Sequence, residues 1–387
     1  MSERFATKGE AAGRQKTRSG MAVIALAAGG TGGHLFPAEA LAQELRRRGW
    51  RILLVTDARG ARYAENFPAD DRFEISGASP NVGGALARGL AAISLAGGLV
   101  TALGEFRKRN VAAAVGFGGY PSFPTMKAAA LLKIPYGVHE QNSVLGRANR
   151  MLSAGAAFTA HAFPFLERAP SKANLVEVGN PVRDAVAPFV AAPYAPPDED
   201  GPIRLLVFGG SQGASLFSTV VPGAVAALPA ALRQRLTVVQ QARDSETASV
   251  ASLYKEAGVA AEIAPFFKDM PARIAAAHLI VARAGASTVT EIATIGRPSI
   301  LVPLEIAMDD HQTENARVLA DAGGAILVPE KAFTKEALAK TLAPLLATPA
   351  RLSEMAGATK GKVKSDSAKA LADLVEEIAK KRERKAA

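Results

Sequence analysis

Short apolar runs alternate with amphipathic stretches along the whole chain, and the alternation starts afresh near its middle. In the first half, apolar runs predict strands at 22–28, 51–56, 73–76, 111–116, 136–139 and 175–178, with helices at 37–48, 83–109, 122–133 and 146–153. Apolar runs of this kind alternating with helices predict a parallel sheet covered on both faces. The stretch from Ala191 to Pro202 is rich in proline and acid and has no periodicity, so it reads as a linker. After it, strands are expected near 203–208, 236–240, 260–263, 278–282, 299–302 and 324–327. Helices are expected near 213–228, 244–257, 286–295, 312–322 and 334–346. The end, from Asp366 to Ala387, reads as a polar, charged helix. The organisation that follows is a flexible basic tail at 1–20, a first domain at 21–183, a linker at 184–202, a second domain at 203–365 and a terminal helix at 366–387. Both domains are expected to be doubly wound α/β units, which bind ligands at the C-terminal ends of their strands.

Two of those strand ends carry glycine clusters that lead into helices. Val23-Ile24-Ala25-Leu26 precedes Gly29-Gly30-Thr31-Gly32-Gly33-His34, and Leu205-Leu206-Val207-Phe208 precedes Gly209-Gly210-Ser211-Gln212-Gly213. Glycine lets backbone approach a ligand closely, and the unpaired N–H groups of a helix start favour an anion. The first loop fails the dinucleotide fingerprint, because Leu35 and Thr31 stand where G-x-G-x-x-G needs glycine. Asp57 does follow the second strand where a ribose-binding acid would stand, but a nicotinamide reading leaves the second loop without a task. Structurally, either loop could be only a tight turn.

A length of 387 residues, 49% apolar, suffices for two cores. Cysteine is absent, which excludes disulfides and thiolate metal sites and fits a reducing compartment. The five histidines show no metal-ligand spacing, so neither a metal nor another cofactor is expected. No apolar run is long enough to span a bilayer. Residues 1–20 lack the apolar core of a secretory signal. Charge is distributed unevenly: residues 1–183 hold 23 Lys and Arg against 13 Asp and Glu, a net of +10, whereas residues 184–387 hold 23 of each. The first half therefore suits a polyanion: a phosphorylated substrate, an anionic membrane or nucleic acid. Nucleic acid is disfavoured, since aromatics are only 6% and no recognition motif is present.

Other polar clusters end the remaining strands. His34 closes the first glycine loop, and Gly116 to Tyr120 and His139-Glu140-Gln141-Asn142 follow the fourth and fifth strands. Polar groups there suit a site, though turn chemistry and a structural carboxylate would also account for them. Gly179-Asn180-Pro181-Val182-Arg183 reads as a hinge, with Arg183 able to hold a phosphate. In Arg283 to Glu291, Thr288 and Glu291 have capping-box spacing; the functional reading instead places Glu291 on the vicinal hydroxyls of a ribose. Asp310-His311-Gln312 with Asn315 puts amides suited to sugar hydroxyls at another helix start.

Taken in order, these motifs closely resemble those of the MurG family of bacterial peptidoglycan glycosyltransferases. The resemblance runs through Gly29–Pro37, Gly118–Tyr120, His139–Asn142, Gly179–Arg183, Gly209–Gly213, Arg283–Glu291 and Asp310–Ala316, covering nearly all of the chain beyond residue 20. It implies a GT-B fold, two Rossmann-like doubly wound domains facing a central cleft. The implied donor is UDP-GlcNAc, held mainly by the second domain. Carried over by position, Glu291 would bind the ribose and the backbone of Phe267 the uracil. Ser211 and Gln212 would lie at the diphosphate, and Ala286, Ser287, Thr288, Val289 and Thr290 would complete the pocket. Gln312, with His311, would meet the GlcNAc hydroxyls. Thr31, Gly32, Gly33, Asn142 and Arg183 would reach donor or acceptor across the cleft.

The implied reaction is an inverting transfer of GlcNAc to the C4 hydroxyl of a polyprenyl-diphosphoryl-MurNAc-pentapeptide, at the cytoplasmic face of the inner membrane. It needs a base, for which His34 is the first candidate and Glu140 the second, and stabilisation of the leaving diphosphate without a metal by the second glycine loop. Further partners implied are an anionic membrane surface and other cell-wall synthesis proteins. Leu86, Leu90, Ile93 and Val100 recur at helical spacing beside Arg88, Arg107, Lys108 and Arg109. Periodicity favours a core-facing helix there, and the resemblance favours a membrane patch. Three departures from the family pattern stand out: Gln240-Gln241 for His-Gln, Phe123-Pro124 for Gly-Pro, and Ala78-Ser79-Pro80 for a basic pair. Rival readings are a GT-B enzyme with another lipid acceptor such as diacylglycerol, a UDP-sugar epimerase, and a non-catalytic UDP-sugar-binding subunit.

Overall fold

The computed structural model describes residues 22–75, 85–190, 192–210, 213–305 and 310–386. The basic tail, the Ala78-Ser79-Pro80 departure, Ser211 and Gln212 lie outside the described residues, as do the side chains of Leu86, Arg88 and Leu90.

Two parallel sheets form the molecule. The first contains β1 (Val23–Ala27), β2 (Arg51–Thr56), β3 (Asp71–Glu74), β4 (Val111–Gly116), β5 (Tyr136–Glu140), β6 (Phe158–His161) and β7 (Leu175–Glu177), in the order β3-β2-β1-β4-β5-β6-β7. The second contains β8 (Ile203–Phe208), β9 (Leu236–Gln241), β10 (Ala260–Ala264), β11 (Leu279–Ala282), β12 (Ser299–Leu301) and β13 (Ala325–Leu327), in the order β10-β9-β8-β11-β12-β13. Both orders reverse beside the lobe's first strand, at the β1/β4 and β8/β11 pairs, and that reversal opens a crevice at the strands' C-terminal ends. The helices that bear on the site are α1 (Gly32–Arg47), α2 (Ala85–Arg107), α3 (Gly119–Leu131), α4 (Arg147–Ser153), α5 (Ser215–Ala226), α6 (Ala286–Ile295), α7 (His311–Ala320) and α8 (Ser367–Ala386).

Each sheet is buried on both faces, as its apolar strands require. Along β1, Ile24 and Leu26 enter one core with Leu41 and Leu45 of α1, while Val23, Ala25 and Ala27 enter the other with Phe106 and Met126. The second sheet divides likewise, Leu205 and Val207 packing with Phe217 and Leu206 and Phe208 with Ile292.

Several expectations are corrected. Strand β6 was not foreseen; four residues with two polar side chains leave no periodic signal, and only pairing with β5 and β7 makes the strand. Helices at Met270–Ala276 and Pro349–Thr359 were also not foreseen. Helix α1 begins at Gly32, inside the glycine cluster, rather than at 37. Helix α8 is not simply polar: Leu371, Val375 and Ile378 recur on one face and are buried in the first lobe's core. Trp50 Nε1 donates to Glu376 at 2.8 Å and Arg48 Nη1 to Asp373 at 2.5 Å, so α8 returns from the second lobe to seal the first. On α2 the core-facing residues are Ala91, Ala102 and Phe106, whereas Ile93 and Val100 are 70% and 68% exposed. The core-facing reading of those two positions does not hold.

Candidate active site

The C-terminal ends of both sheets open into one cleft of about 1140 Å³ between the lobes. From the first lobe Thr31, Gly33, His34, Glu140, Asn142 and Arg183 line it; from the second come Phe267, Ala286, Ser287, Thr288, Glu291, His311 and Gln312. Both glycine loops therefore face the same space, and residues from motifs more than 250 positions apart meet in it.

Several helices start at this cleft without a side-chain cap, among them α1, α5 and α6. The caps of α1, α5 and α6 are Thr31, Ala214 and Gly285, and none of them offers a side-chain acceptor to its helix's first turn. A helix start normally has a Ser, Thr or Asp acceptor for those N–H groups. Leaving them open toward a cleft makes them available to an anion. The capping-box reading of Thr288 and Glu291 is overturned, because the cap falls at Gly285. Ser287 Oγ is buried with no partner and also lines the cleft.

His34 stands in the first turn of α1. Its Nδ1 lies 2.9 Å from the Gly29 carbonyl, which can only accept, so the proton sits on Nδ1 and Nε2 keeps a lone pair. That Nε2 edge lies against Gly118, where a Cβ would come within 3.1 Å of it. Burial is the main influence on this imidazole and lowers its pKa below 6.5, opposed by the Gly29 hydrogen bond and by the charges of Glu140 and Asp57. A neutral ring with a free Nε2 is the state a general base requires. The turn beneath it needs glycine at 29, since a Cβ there would lie 2.7 Å from Pro121 and 2.8 Å from Asp57. Asp57 itself accepts from Gly30 N at 2.9 Å and Gly60 N at 2.8 Å, so it braces the loop instead of waiting for a ribose.

Glu140 is differently placed. Oε1 accepts from Asn142 N and Nδ2 at 3.1 and 3.0 Å, and Oε2 accepts from Gly146 N and Asn149 Nδ2 at 3.0 and 2.9 Å. Four donors occupy both oxygens of this buried carboxylate, which orders the loop after β5. Asn149 was missed in the sequence, where nothing distinguishes it from any polar residue of a short helix.

Polar contacts tie the lobes together at the cleft floor. Asn315 is fully buried; its Oδ1 accepts from Ser143 N at 3.1 Å, and its Nδ2 donates to Asn142 Oδ1 at 3.1 Å and to the Ala284 carbonyl at 3.2 Å. It is thus an interlobe bridge rather than the sugar contact suggested by its position in the sequence. Asn180 Nδ2 donates to Thr290 Oγ1 at 3.2 Å. Arg183 reaches Glu291 at 3.4 Å and stacks 3.9 Å from the Phe36 ring centroid, while its buried Nε has no partner. Burial raises the Glu291 pKa, against the pull of Arg183. Gln312 Oε1 accepts from Leu304 N at 3.0 Å, which points to its Nε2 as the ligand donor.

Three proposed residues do not line the cleft. Val289 is in the core with Ile292, Thr290 is buried between Asn180 and the Ala286 carbonyl, and Gly32 packs under Phe36. The helical period turns Val289 and Thr290 inward while Ser287, Thr288 and Glu291 face the cleft. The departures at 240 and 241 are accommodated: Gln240 Oε1 accepts from Tyr254 at 2.6 Å, and Gln241 bridges Gly209 N at 3.2 Å and the Pro265 carbonyl at 3.1 Å. Among the described residues no group of three His, Cys, Asp or Glu is placed to hold a metal ion.

Two parallel-sheet lobes sharing one cleft are the GT-B fold. Residues 24–160 match the glycosyltransferase family 28 N-terminal domain and residues 204–375 the family 28 C-terminal domain, and the chain belongs to that family. It is 52% identical over 361 residues to the UDP-N-acetylglucosamine--N-acetylmuramyl-(pentapeptide) pyrophosphoryl-undecaprenol N-acetylglucosamine transferase of Methylobacterium nodulans, covering 92% of this chain and 97% of the relative. A protein of the same name from Phenylobacterium zucineum is 50% identical over 359 residues, covering 92% and 98%. Among solved structures, Acinetobacter baumannii MurG superposes with a TM-score of 0.73 at 30% identity, covering 92% of this chain and 99% of that one.

Proposed function

We propose that this protein transfers N-acetylglucosamine from UDP-GlcNAc to the C4 hydroxyl of a lipid-linked MurNAc-pentapeptide, with inversion at the anomeric carbon. The observation that carries the reading is the convergence of uncapped helix starts from both lobes on a cleft that also holds a neutral, Nδ1-protonated His34. Family membership and relatives about 50% identical over nearly their whole length support the same substrates.

In this reading the uridine diphosphate lies on the second lobe. The ribose meets Glu291, the uracil meets the backbone at Phe267, and Ser287 and Thr288 with the α6 N–H groups extend the anion pocket. Ser211 and Gln212 of the second glycine loop belong to the same pocket. Gln312 and His311 address the sugar. His34 Nε2 takes the proton of the acceptor hydroxyl as the hydroxyl oxygen bonds to the anomeric carbon and the diphosphate oxygen departs. Positive backbone dipoles meet the charge that develops there. Glu140 holds Asn142 and the loop in place.

The acceptor enters from the first lobe, which carries the chain's excess positive charge. Leu95 of α2, Phe123 of α3 and Met151 of α4 line that end of the cleft, and α2 continues outward to exposed Ile93 and Val100. No described helix is long and apolar enough to cross a membrane. An apolar helix face beside Arg107, Lys108 and Lys127 suits peripheral attachment to an anionic leaflet on the cytoplasmic side.

Incubating labelled UDP-GlcNAc with polyprenyl-diphosphoryl-MurNAc-pentapeptide tests the assignment. Formation of a β-linked disaccharide lipid is expected. UDP release without glycolipid, or transfer only to diacylglycerol, would refute it.

A further inference from the structure

The departing diphosphate carries charge that backbone dipoles meet only in part, and a comparison of the two lobes points to where a side-chain cation stands. In each lobe the second strand ends beside the glycine loop and supplies an acceptor to it. Asp57 Oδ1 accepts from Gly30 N at 2.9 Å, and Gln241 Oε1 accepts from Gly209 N at 3.2 Å. In each lobe an arginine follows two residues later, Arg59 and Arg243, and both are exposed and line the cleft.

The lobes differ in what lies beneath that arginine. Arg59 is 3.6 Å from the Asp57 carboxylate, so its charge is matched within its own lobe. The counterpart of Asp57 in the second lobe is the neutral Gln241. The acid that feels the Arg243 charge is Glu246, whose two oxygens accept from the Ser215 and Ser218 hydroxyls in the first turns of α5. Arg243 forms no ion pair among the described residues. Its stem lies along the second glycine loop, since a Cβ at Gly213 would stand 3.4 Å from Arg243 Cγ. The residue thus sits where that loop turns into α5, whose N–H groups are uncapped.

We propose that Arg243 is a catalytic residue of the transfer: the cation that binds the diphosphate of the sugar nucleotide and meets the charge on it as the glycosidic bond breaks. A guanidinium suits this task because its fork can bond oxygens of both phosphoryl groups. Nothing in the other half of the nucleotide requires it, because the uracil and ribose lie toward Phe267 and Glu291. The proposal rests on the donor-site reading given above and adds a residue to it.

Calorimetric binding of UDP and of uridine to the full chain, to Arg243→Gln and to Arg243→Lys separates the possibilities. Arg243→Gln is expected to lose on the order of tenfold or more in UDP affinity, the effect of one charged hydrogen-bonding partner, with uridine affinity unchanged and Arg243→Lys in between. The kcat/KM for UDP-GlcNAc should fall by at least the same factor, because the diphosphate bears more charge at the transition state. UDP binding equal in Arg243→Gln and the unaltered chain would overturn this proposal alone, as would equal losses for UDP and uridine, which would indicate a structural role. Failure of the unaltered chain to bind UDP would overturn the donor-site reading and this proposal with it.

Discussion

The proposed transfer turns on which nitrogen of one imidazole carries a proton. His34 was visible in the sequence as a polar residue closing a glycine loop, but its protonation was not. That depends on a carbonyl five residues back, brought beneath the ring by the early start of α1. His34→Ala is expected to lower kcat by roughly 10²–10⁴-fold, the usual contribution of a general base, with UDP affinity retained; near-normal turnover would remove His34 from the mechanism. Because burial depresses its pKa, the base stays competent below neutral pH. The acid limb of kcat/KM should fall below the ordinary 6.5 of imidazole, and a limb well above that value would contradict the environment described here. Glu140 was equally visible, yet its role changes once its four donors are seen. Glu140→Gln is expected to lower the melting temperature, since one amide cannot accept from all four donors, and Glu140→Ala more so. An unchanged melting temperature with abolished turnover would restore it as a proton acceptor.

At the scale of elements, the proposed function rests on uncapped helix starts and one exposed helix face. The sequence signals for the two features differ in strength. Glycine clusters after apolar strands mark the helix starts, because a Cβ at Gly29 or Gly209 would stand 2.7 or 2.5 Å from neighbouring atoms and Gly30 and Gly210 adopt positive φ. The exposure of Ile93 and Val100 was ambiguous, because an apolar stripe of helical period looks the same whether it meets a core or a lipid surface. Packing decides it: Ala91, Ala102 and Phe106 make the core contact, and Ile93 and Val100 are left outside. Ile93→Glu with Val100→Glu is expected to weaken partitioning onto anionic vesicles roughly thirtyfold, at about 1 kcal/mol per side chain near such a surface, without changing UDP affinity. Flotation unchanged by the pair, or insensitive to salt and anionic lipid, would count against the membrane face.

At the scale of the whole molecule, two lobes cooperate through a few connections. Asn315, Asn180 and Arg183 cross the cleft floor, and α8 crosses back from the second lobe to the core of the first. A charge placed in that core should therefore be felt far from the second lobe's own packing. Val375→Asp is expected to cost about 3–5 kcal/mol of first-lobe stability, as an unpaired buried charge does, read as a lower first unfolding transition. A single unshifted transition would show that α8 is dispensable to the first lobe. The interlobe contacts also explain why Asn315 was misread, because a buried amide at a helix start looks like an exposed one until the opposite lobe is present.

The amino-acid sequence by itself determined the two-lobed α/β architecture, the placing of ligands at strand ends and the family. These follow from local apolar runs and from glycines whose steric need is local. Only the tertiary structure decided which polar residues of that family pattern face the cleft and which brace the fold. Asp57 and Asn315 are braces because partners from distant segments hold them, and Glu140 because four donors from its own loop and the start of α4 surround it. Ser287, Glu291 and Arg243 face the cleft because helical phase and the opposition of the two lobes turn them there. Facing, and the contacts of Asp57 and Asn315, depend on partners far apart along the chain, so no local pattern of residues records them.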